Sequence, residues 1–207
     1  MFRYRIAEHG TDDLDRWRRL RTSLYLDSGL IAPSDIDPDA GVFVDVYDEH
    51  SVHLLAANDD GVDVGCMRMI EPGAGRTLPV TDLFGIDVLP HAWEVSGGAV
   101  EPKYRKSLIM LGFYRALFWL AEEREYQNMY GIVEQAVLAN ALSSGFPVEV
   151  VSEPRFVFNA LNVVTLIRRS SMVDAIESDS DDAPAFASYF RKPFDWTLSA
   201  DDLDPVV

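Results

Sequence analysis

The chain has 207 residues, of which 48% are hydrophobic and 25% are charged, which is typical of a single soluble domain with a substantial core. Its formal net charge of −16 at pH 7 disfavours a general binder of nucleic acid or of anionic membranes, because such a field repels phosphates. A local basic pocket is still compatible with this charge.

The single cysteine, Cys66, excludes an intramolecular disulfide and a cysteine-rich metal site. It lies in VDVGCMRMI, a predicted buried strand, so we expect a core residue rather than a nucleophile. The four histidines lack the spacing of metal ligands, and no metal is predicted. The N-terminal MFRYRIAEHG has no apolar core and the apolar runs are shorter than a membrane span. We therefore expect neither a secretory signal nor a membrane span, and a cytoplasmic location.

The first half of the chain predicts a strand, a helix and a hairpin. FRYRIAEHG alternates like a strand that ends at a glycine turn. TDDLDRWRRLRTSLYLDSGL has Thr and Asp cap candidates, apolar residues at helical spacing and a terminal Gly29, which predicts an amphipathic helix. The Pro- and Asp-rich IAPSDIDPDAGVFVDVYDE predicts a loop. SVHLLAANDDGVDVGCMRMIEP predicts two strands joined through NDDG.

The second half alternates strands and helices. An irregular connection with a short helix near TDLFG leads to the predicted strand AWEVSGGAV and a long helix over residues 107–126. NMYGIVE predicts a strand, QAVLANALSSG a helix ending at Gly145, and FPVEVVS and NVVTLIRR two more strands with EPRFVFNA between them. Near the end, ESDSDDAP indicates an acidic surface loop, and a merely solvated or disordered segment is the interpretation that we favour. This order predicts an α/β fold with a mixed sheet covered by helices.

Glu94 is the first candidate functional residue. It lies between Trp93 and Val95 in a predicted strand, and apolar surroundings raise the pKa of a carboxyl group. Glu94 is therefore a candidate general base. An exposed glutamate on the outer side of the strand fits the same pattern, because alternate residues of a strand face opposite ways.

A basic loop follows the same strand. Lys103, Arg105 and Lys106 lie just before the predicted long helix, in a chain that has only three lysines. The unpaired N–H groups and the positive dipole end of a helix N-terminus can bind an anion. A solvated loop whose basic residues balance nearby acids has the same spacing, so both interpretations stay open.

The strand, basic loop and long helix, in this order of elements, resemble the GNAT acyltransferase fold. More specifically, the chain resembles the N-acyl amino acid synthases and, more distantly, the acyl-homoserine-lactone synthases. The likeness is carried by LRTSLYLDSGLI, DVYDEHSVHLLA, VGCMRMI, LFGID with WEVSGGAVEPKYR, and MYGIVEQAVLANALSSGFPVEVV. It implies a GNAT-like domain over residues 1–172 with a mixed, mostly antiparallel central sheet flanked by helices. Residues 173–207 would form an acidic C-terminal extension that packs on this domain or trails from it.

The resemblance also implies roles for individual residues. Glu94 resembles the acidic residue that deprotonates or positions the attacking amine, and Arg68 is assigned to catalysis with it. Aspartates near the amine, arginines that order them and an aromatic near the acyl group have counterparts here. The residues assigned to the substrate are Arg21, Asp45, Asp48, Phe84, Ser96 and Gly97. Those assigned to the phosphopantetheine of the donor are Val100, Lys103, Arg105, Lys106 and Ser107. Aspartates that only cap a turn, balanced by Arg68, remain an alternative.

Two departures from the family pattern affect the expected substrates. The family's Glu-Val-Ser-Arg is EVSG here, so Gly97 stands where an arginine is expected. This loss leaves the handling of the polar substrate open, homoserine-lactone synthesis in particular, while Gly97 and Gly98 leave room for a close backbone approach. RKSLIM lacks the glycines of a typical CoA-binding loop, which fits a carrier-protein-tethered donor at least as well as free CoA.

The implied activity is transfer of an acyl group, medium or long, from an acyl-carrier-protein or CoA thioester to the amine of an amino acid or similar small molecule. A non-catalytic acyl-thioester-binding module of this fold and an acetyl-CoA-dependent small-molecule N-acetyltransferase are the alternatives. His53 is a second base candidate, and a packed strand histidine is its other interpretation. The expected partners are an acyl carrier protein and a small-molecule amine, without nucleic acid.

Overall fold

The computed structural model describes residues 1–73, 75–105, 107–178, 184 and 186–198. The strands are β1 Phe2–Ala7, β2 Ser51–Ala57, β3 Asp63–Ile70, β4 Ala92–Val100, β5 Asn128–Glu134, β6 Glu149–Val150, β7 Arg155–Val157, β8 Ala160–Arg168 and β9 Thr197–Leu198. The helices are α1 Asp12–Ser28, α2 Pro79–Phe84, α3 Ile109–Glu123, α4 Gln135–Ser143, α5 Arg169–Glu177 and α6 Ala187–Arg191. Short 3-10 turns occur at Pro33–Asp35, Asp48–His50 and Pro102–Tyr104.

Within the described residues the strands form one nine-stranded sheet in the order β6-β8-β5-β4-β3-β2-β1-β9, with β7 paired to β8. Only β4 and β5 run parallel, whereas the other described pairs are antiparallel. The α/β fold with a mixed, mostly antiparallel sheet is therefore confirmed.

Most predicted elements form where the local signals indicate. β4 has the predicted bounds, and α1 ends at Gly29, whose φ of 72° is the left-handed conformation that glycine adopts without strain. β2 and β3 form the predicted hairpin. The expected side-chain cap of α1 is wrong, because the Thr11 hydroxyl donates to the Glu8 carbonyl oxygen instead.

Other boundaries differ from the predictions. α3 begins at Ile109 rather than Ser107, because the Ser107 hydroxyl donates to the Tyr104 carbonyl oxygen in a preceding turn, and it ends at Glu123. Only Glu149–Val150 of FPVEVVS is a strand. EPRFVFNA was predicted as a plain connection, yet it contains β7. β7 turns back into β8 through two residues with positive φ.

The two faces of the sheet carry different cores. The α3 face holds Trp93, Met69 and Phe113, whereas the face of α1 and α2 holds Ile70 and Tyr130. Burial of one large apolar side chain contributes about 2 kcal/mol, so each face anchors its helices firmly. Alternation along β4 therefore directs Trp93 towards α3 and its neighbour, Glu94, towards α2.

The C-terminal part of the described chain returns to the sheet. β9 pairs with the outer edge of β1, and Arg115 of α3 donates to the carbonyl oxygens of Lys192 and Pro193. The predicted domain boundary at residue 172 falls inside α5. Most of the acidic loop predicted at ESDSDDAP, residues 179–183, lies outside the described residues. No helix in the described part of the chain is long and apolar enough to cross a membrane.

Candidate active site

Glu94 is buried in the middle of the sheet, with 1% of its surface exposed. Its Oε2 accepts a hydrogen bond of 2.9 Å from the Val80 N–H in the first turn of α2. Burial raises the pKa of Glu94 to about 8, although this hydrogen bond and the charge of Arg68 act in the opposite direction. Oε1 has no hydrogen-bond partner among the described residues. Glu94 is thus buried, as a general base would be, while it also caps α2.

β4 and β5 separate next to Glu94. Their parallel pairing runs from Ala92↔Asn128 to Val95↔Gly131 and stops there, although both strands continue. We call this gap the β4–β5 opening. It begins at Ser96 on β4 and Ile132 on β5. Since backbone groups of β4 that face β5 have no partner strand among the described residues beyond this point, a ligand can meet them there.

A buried ion cluster lies on the same face as Glu94. The Arg21 Nη1 and Nη2 atoms donate to both carboxylate oxygens of Asp48, at 3.0 and 2.7 Å. Arg68 donates to Asp45 at 2.7 Å and to Asp48 at 2.5 Å. Arg21, Asp48 and Arg68 are each at least 97% buried. The structure thus brings together the four residues that were assigned to the amine side, as two arginines paired with two aspartates.

His53 lies behind this cluster and is fully buried. Its Nε2 is 3.5 Å from Asp48 Oδ1, and its ring packs edge-on against Trp17. Burial lowers the pKa of His53, and the neighbouring Asp48 opposes this only in part. Burial would raise the pKa of Asp48, but the contact with His53 and the charges of Arg21 and Arg68 hold it well below its usual range. A neutral, packed histidine beside an ionised aspartate is the result.

Gly97 sits at a β-bulge where the register between β3 and β4 shifts. Its φ is 65°, and a Cβ atom there would lie 3.3 Å from side-chain carbons of Arg68 and Trp17. A side chain at this position would therefore be strained as well as crowded. The backbone itself favours the glycine that replaces the expected arginine.

The other residues assigned to the substrate lie around this face. Ser96 Oγ is 3.5 Å from Arg68 Nη2, so Ser96 lies between the ion cluster and the β4–β5 opening. Phe84, at the end of α2, is 8% exposed and lies under the guanidinium of Arg155. Phe84 therefore packs in the core of the α2 face.

The basic loop is only partly organised for an anion. Lys103 pairs with Glu101 at 3.2 Å, and Arg105 Nε donates to the Val100 carbonyl oxygen at 3.3 Å. Ser107 Oγ accepts the Ile109 N–H at the start of α3. Lys106 lies outside the described residues. Lys103 is thus balanced by an acid, whereas the Nη atoms of Arg105 have no hydrogen bond or ion pair with the described residues.

An apolar pocket lies on the opposite face of the sheet from Glu94, between the sheet, α3 and α5. Aromatic side chains from several elements dominate its lining, which includes Trp93, Tyr114, Phe118, Tyr126, Met129 and Phe146. Trp93 and Met129 are paired across β4 and β5, two residues before the last pair, Val95 and Gly131. The pocket and Glu94 thus lie on opposite faces of the sheet, and the pocket lining comes within two residues of the last strand pair before the opening.

Residues 20–115 match a family model described as an acetyltransferase (GNAT) domain. The chain is similar to the solved structure of BjaI, a CoA-dependent acyl-homoserine lactone synthase, at 23% identity and a TM-score of 0.66 over 84% of this chain and 86% of that one. The chain has the GNAT acyltransferase fold.

Further GNAT-like structures agree. The AHL synthase LasI matches at 18% identity and a TM-score of 0.66 over 81% of this chain and 90% of that one. FeeM, an N-acyl amino acid synthase from uncultured soil microbes, matches at 15% identity and a TM-score of 0.65 over 86% and 99%. No curated protein matches the sequence. At these identities the likeness establishes the fold, and the predicted resemblance is confirmed at that level.

The sequence interpretation missed two residues of this GNAT-fold site. The Arg21 guanidinium lies 4.4 Å from the centre of the Trp17 ring and 4.9 Å from the centre of the Phe43 ring. The Phe43 carbonyl oxygen also accepts a hydrogen bond from Arg21. The i, i+4 spacing of Trp17 and Arg21 on one helix was a usable signal for the first contact. No local signal pointed to Phe43.

No group of three or more His, Cys, Asp or Glu side chains that could hold a metal ion occurs in the described part of the GNAT fold. Cys66 is fully buried, and this burial raises the pKa of its thiol to about 12. A thiol so protonated is a poor nucleophile, as expected from its strand.

Proposed function

We propose that this protein is an N-acyltransferase that moves an acyl group from a thioester to the amine of a small molecule. One observation carries the proposal: Glu94 is a buried carboxyl group with a pKa of about 8 near the β4–β5 opening, and an apolar pocket on the other face of the sheet comes within two residues of the last strand pair before that opening. These are the parts that such a transfer requires: a base, a place for the thioester and a place for the acyl chain.

The amine would approach on the α2 face and lose its proton to Glu94. Only a neutral amine can attack a thioester, and a base whose pKa lies near the working pH is the most effective. Oε1 is available for this step, because the hydrogen bond from Val80 occupies Oε2. The proton passes from the amine nitrogen to Glu94, directly or through a water molecule, while the nitrogen forms a bond to the carbonyl carbon and the thiolate leaves.

The thioester carbonyl would lie in the β4–β5 opening. Backbone N–H groups of β4 with no partner strand can donate to the oxygen as negative charge develops on it. The phosphate of phosphopantetheine would lie near Arg105 and Ser107, at the N-terminus of α3. The same arrangement serves a CoA donor or an acyl carrier protein. BjaI is named as CoA-dependent, which supports testing both donors.

We assign the ion cluster a positioning role. Arg21 and Arg68 have their Nη atoms committed to Asp45 and Asp48, so the four side chains hold the loop before β2 against the sheet. This loop forms one wall of the amine side. Arg68 was expected to be catalytic, and we propose that it acts through the aspartates and through its charge near Glu94.

The apolar pocket favours an acyl group longer than acetyl. An acetyl group would leave the aromatic lining without a ligand to contact, whereas an alkyl chain gains free energy with each methylene that it buries. The names of LasI and FeeM, an acyl-homoserine lactone synthase and an N-acyl amino acid synthase, support the same choice. We retain the amine of an amino acid or similar small molecule as the acceptor.

The test is to incubate the purified protein with acyl-CoA and acyl-carrier-protein donors from acetyl to hexadecanoyl and a mixture of amino acids and amines. Mass spectrometry then identifies the N-acyl product. We expect transfer of medium or long acyl groups and its loss in Glu94→Gln. Strict use of acetyl-CoA would contradict the proposal in favour of an N-acetyltransferase. Donor binding without transfer by the parent protein would indicate a non-catalytic binding module.

A further inference from the structure

The apolar pocket ends at an ion pair. Arg169, the first residue of α5, donates from Nε and Nη2 to both carboxylate oxygens of Glu122 near the end of α3. Both residues line the apolar pocket, and both also line a polar cleft with His91 and Glu125. Gln127 is the third residue that the pocket and the cleft share. The ion pair therefore lies between an apolar compartment and a polar one.

The distance from the β4–β5 opening to this boundary can be obtained from β5. Gly131 is the last residue paired with β4, and Gln127 precedes β5 by one residue. Four residues at about 3.3 Å each span about 13 Å. An extended chain advances about 1.2 Å per bond, since a residue of three bonds spans about 3.5 Å. An acyl chain that starts at the opening would thus reach the ion pair after about ten or eleven bonds.

We propose that the Glu122–Arg169 ion pair is the distal wall of the acyl pocket and restricts the acyl group to about ten to twelve carbons. The nature of the occupant rests on the proposed function. Up to the wall, each added methylene is buried against aromatic side chains, which corresponds to about a fourfold gain in affinity. Beyond the wall, a methylene meets two charged groups and the polar cleft, so the gain ends.

The Glu122–Arg169 ion pair can be substituted without a large loss of stability. Its side chains are 40% and 32% exposed, so the pair contributes little to the stability of the fold. A second, exposed pair provides a matched control. Arg168 and Glu149 are 42% and 46% exposed, are joined in the same way and do not line the pocket.

The experiment measures binding of free saturated fatty acids with six to sixteen carbons by titration calorimetry, using the parent protein, Glu122→Leu/Arg169→Leu and the control Glu149→Leu/Arg168→Leu. For the parent and the control we expect the dissociation constant to fall about fourfold per methylene up to ten to twelve carbons and then to level. In the pocket variant the fall should continue for at least two more carbons. Arg169→Met, which removes only one charge, serves as a milder second variant and should shift the break in the same direction.

An unchanged break in both pocket variants would overturn the inference, as would a parent that binds no fatty acid or one whose affinity rises steadily to sixteen carbons. Acyl transfer is measured separately with thioesters of the same lengths. If the break in binding and its shift are observed but no acyl group is transferred, the proposed wall is supported and the proposed function is contradicted. If acyl transfer is observed but the break does not shift in the pocket variants, the proposed function is supported and the proposed wall is contradicted.

Discussion

Glu94→Gln tests whether a buried, ionisable carboxyl group limits the stability of this fold. Glutamine has nearly the same shape and can still accept the Val80 N–H, but it does not titrate. In the folded protein burial raises the pKa of Glu94 to about 8 from its ordinary value of 4.5. Between these values folding takes up a proton at Glu94, so the contribution of Glu94 to stability is most favourable below pH 4.5 and is lost as the pH rises through 8.

The expected magnitude follows from this difference. At about 1.4 kcal/mol per pH unit, the rise from 4.5 to about 8 corresponds to roughly 5 kcal/mol of unfolding free energy lost by pH 9, and about 3 kcal/mol by pH 7. The hydrogen bond from the Val80 N–H is weaker when it ends on a neutral amide oxygen than on a carboxylate, which offsets a part of this gain in the variant. Glu94→Gln should therefore lie within about 1 kcal/mol of the parent at pH 5 and clearly exceed its stability at pH 9.

The assay is urea denaturation of the parent, Glu94→Gln and Glu134→Gln at pH 5, 7 and 9. Glu134 is an exposed glutamate at the end of β5, so its variant controls for the loss of a carboxylate as such. Parallel pH dependences of the parent and Glu94→Gln between pH 5 and 9 would refute the reasoning. The same titration should govern activity: kcat/KM should rise with pH, level above about 8, and be lost in Glu94→Gln at each pH.

Three further predictions concern the surroundings of this residue. Gly97→Ala should lower the unfolding free energy by about 1–2 kcal/mol in urea denaturation, because φ is 65° there, and by more than Gly98→Ala, where a flexible methionine can yield. Asp48→Asn should lower the unfolding free energy by about 3–5 kcal/mol, because it leaves buried guanidinium groups underpaired. Glu149→Gln removes a charge from an exposed ion pair and should lower it by less than about 1 kcal/mol. Equal losses of unfolding free energy would contradict this prediction. Iodoacetamide should alkylate Cys66 only after the protein unfolds, because burial raises the pKa of its thiol to about 12. Mass spectrometry measures the alkylation, and rapid labelling of the folded protein would contradict the prediction.

Local patterns predicted much of the fold. The alternation in AWEVSGGAV defined β4 with its observed bounds, and NDDG predicted the hairpin that connects β2 and β3. Predictions failed where a turn has no strong glycine or proline signal. The turn at Phe158 and Asn159 is of this kind, and the strand before it was missed. The start of α3 was misplaced because Ser107 hydrogen-bonds within a turn rather than entering the helix.

For the candidate site, the resemblance suggested residues and the structure determined their contacts. Arg21 and Asp48 come from α1 and a loop 27 positions later in the chain, and they meet as a buried bidentate pair. The raised pKa of Glu94 depends on its burial under α2. The φ of Gly97 shows that an arginine at this position would be strained, and no residue pattern reveals this angle.

The sequence by itself determined the alternation of strands and helices, the acidic charge, the buried thiol and the chemical types available in AWEVSGGAVEPKYRKSLIMLGF. These properties depend on neighbours within a few residues, so local periodicity is sufficient to predict them. Only the tertiary structure decided that β4 and β5 separate after Val95, that Glu94 and the apolar pocket lie on opposite faces of the sheet, and that Glu122 and Arg169 close that pocket. Such contacts join residues from distant parts of the chain, and strand register and helix packing determine which of them meet.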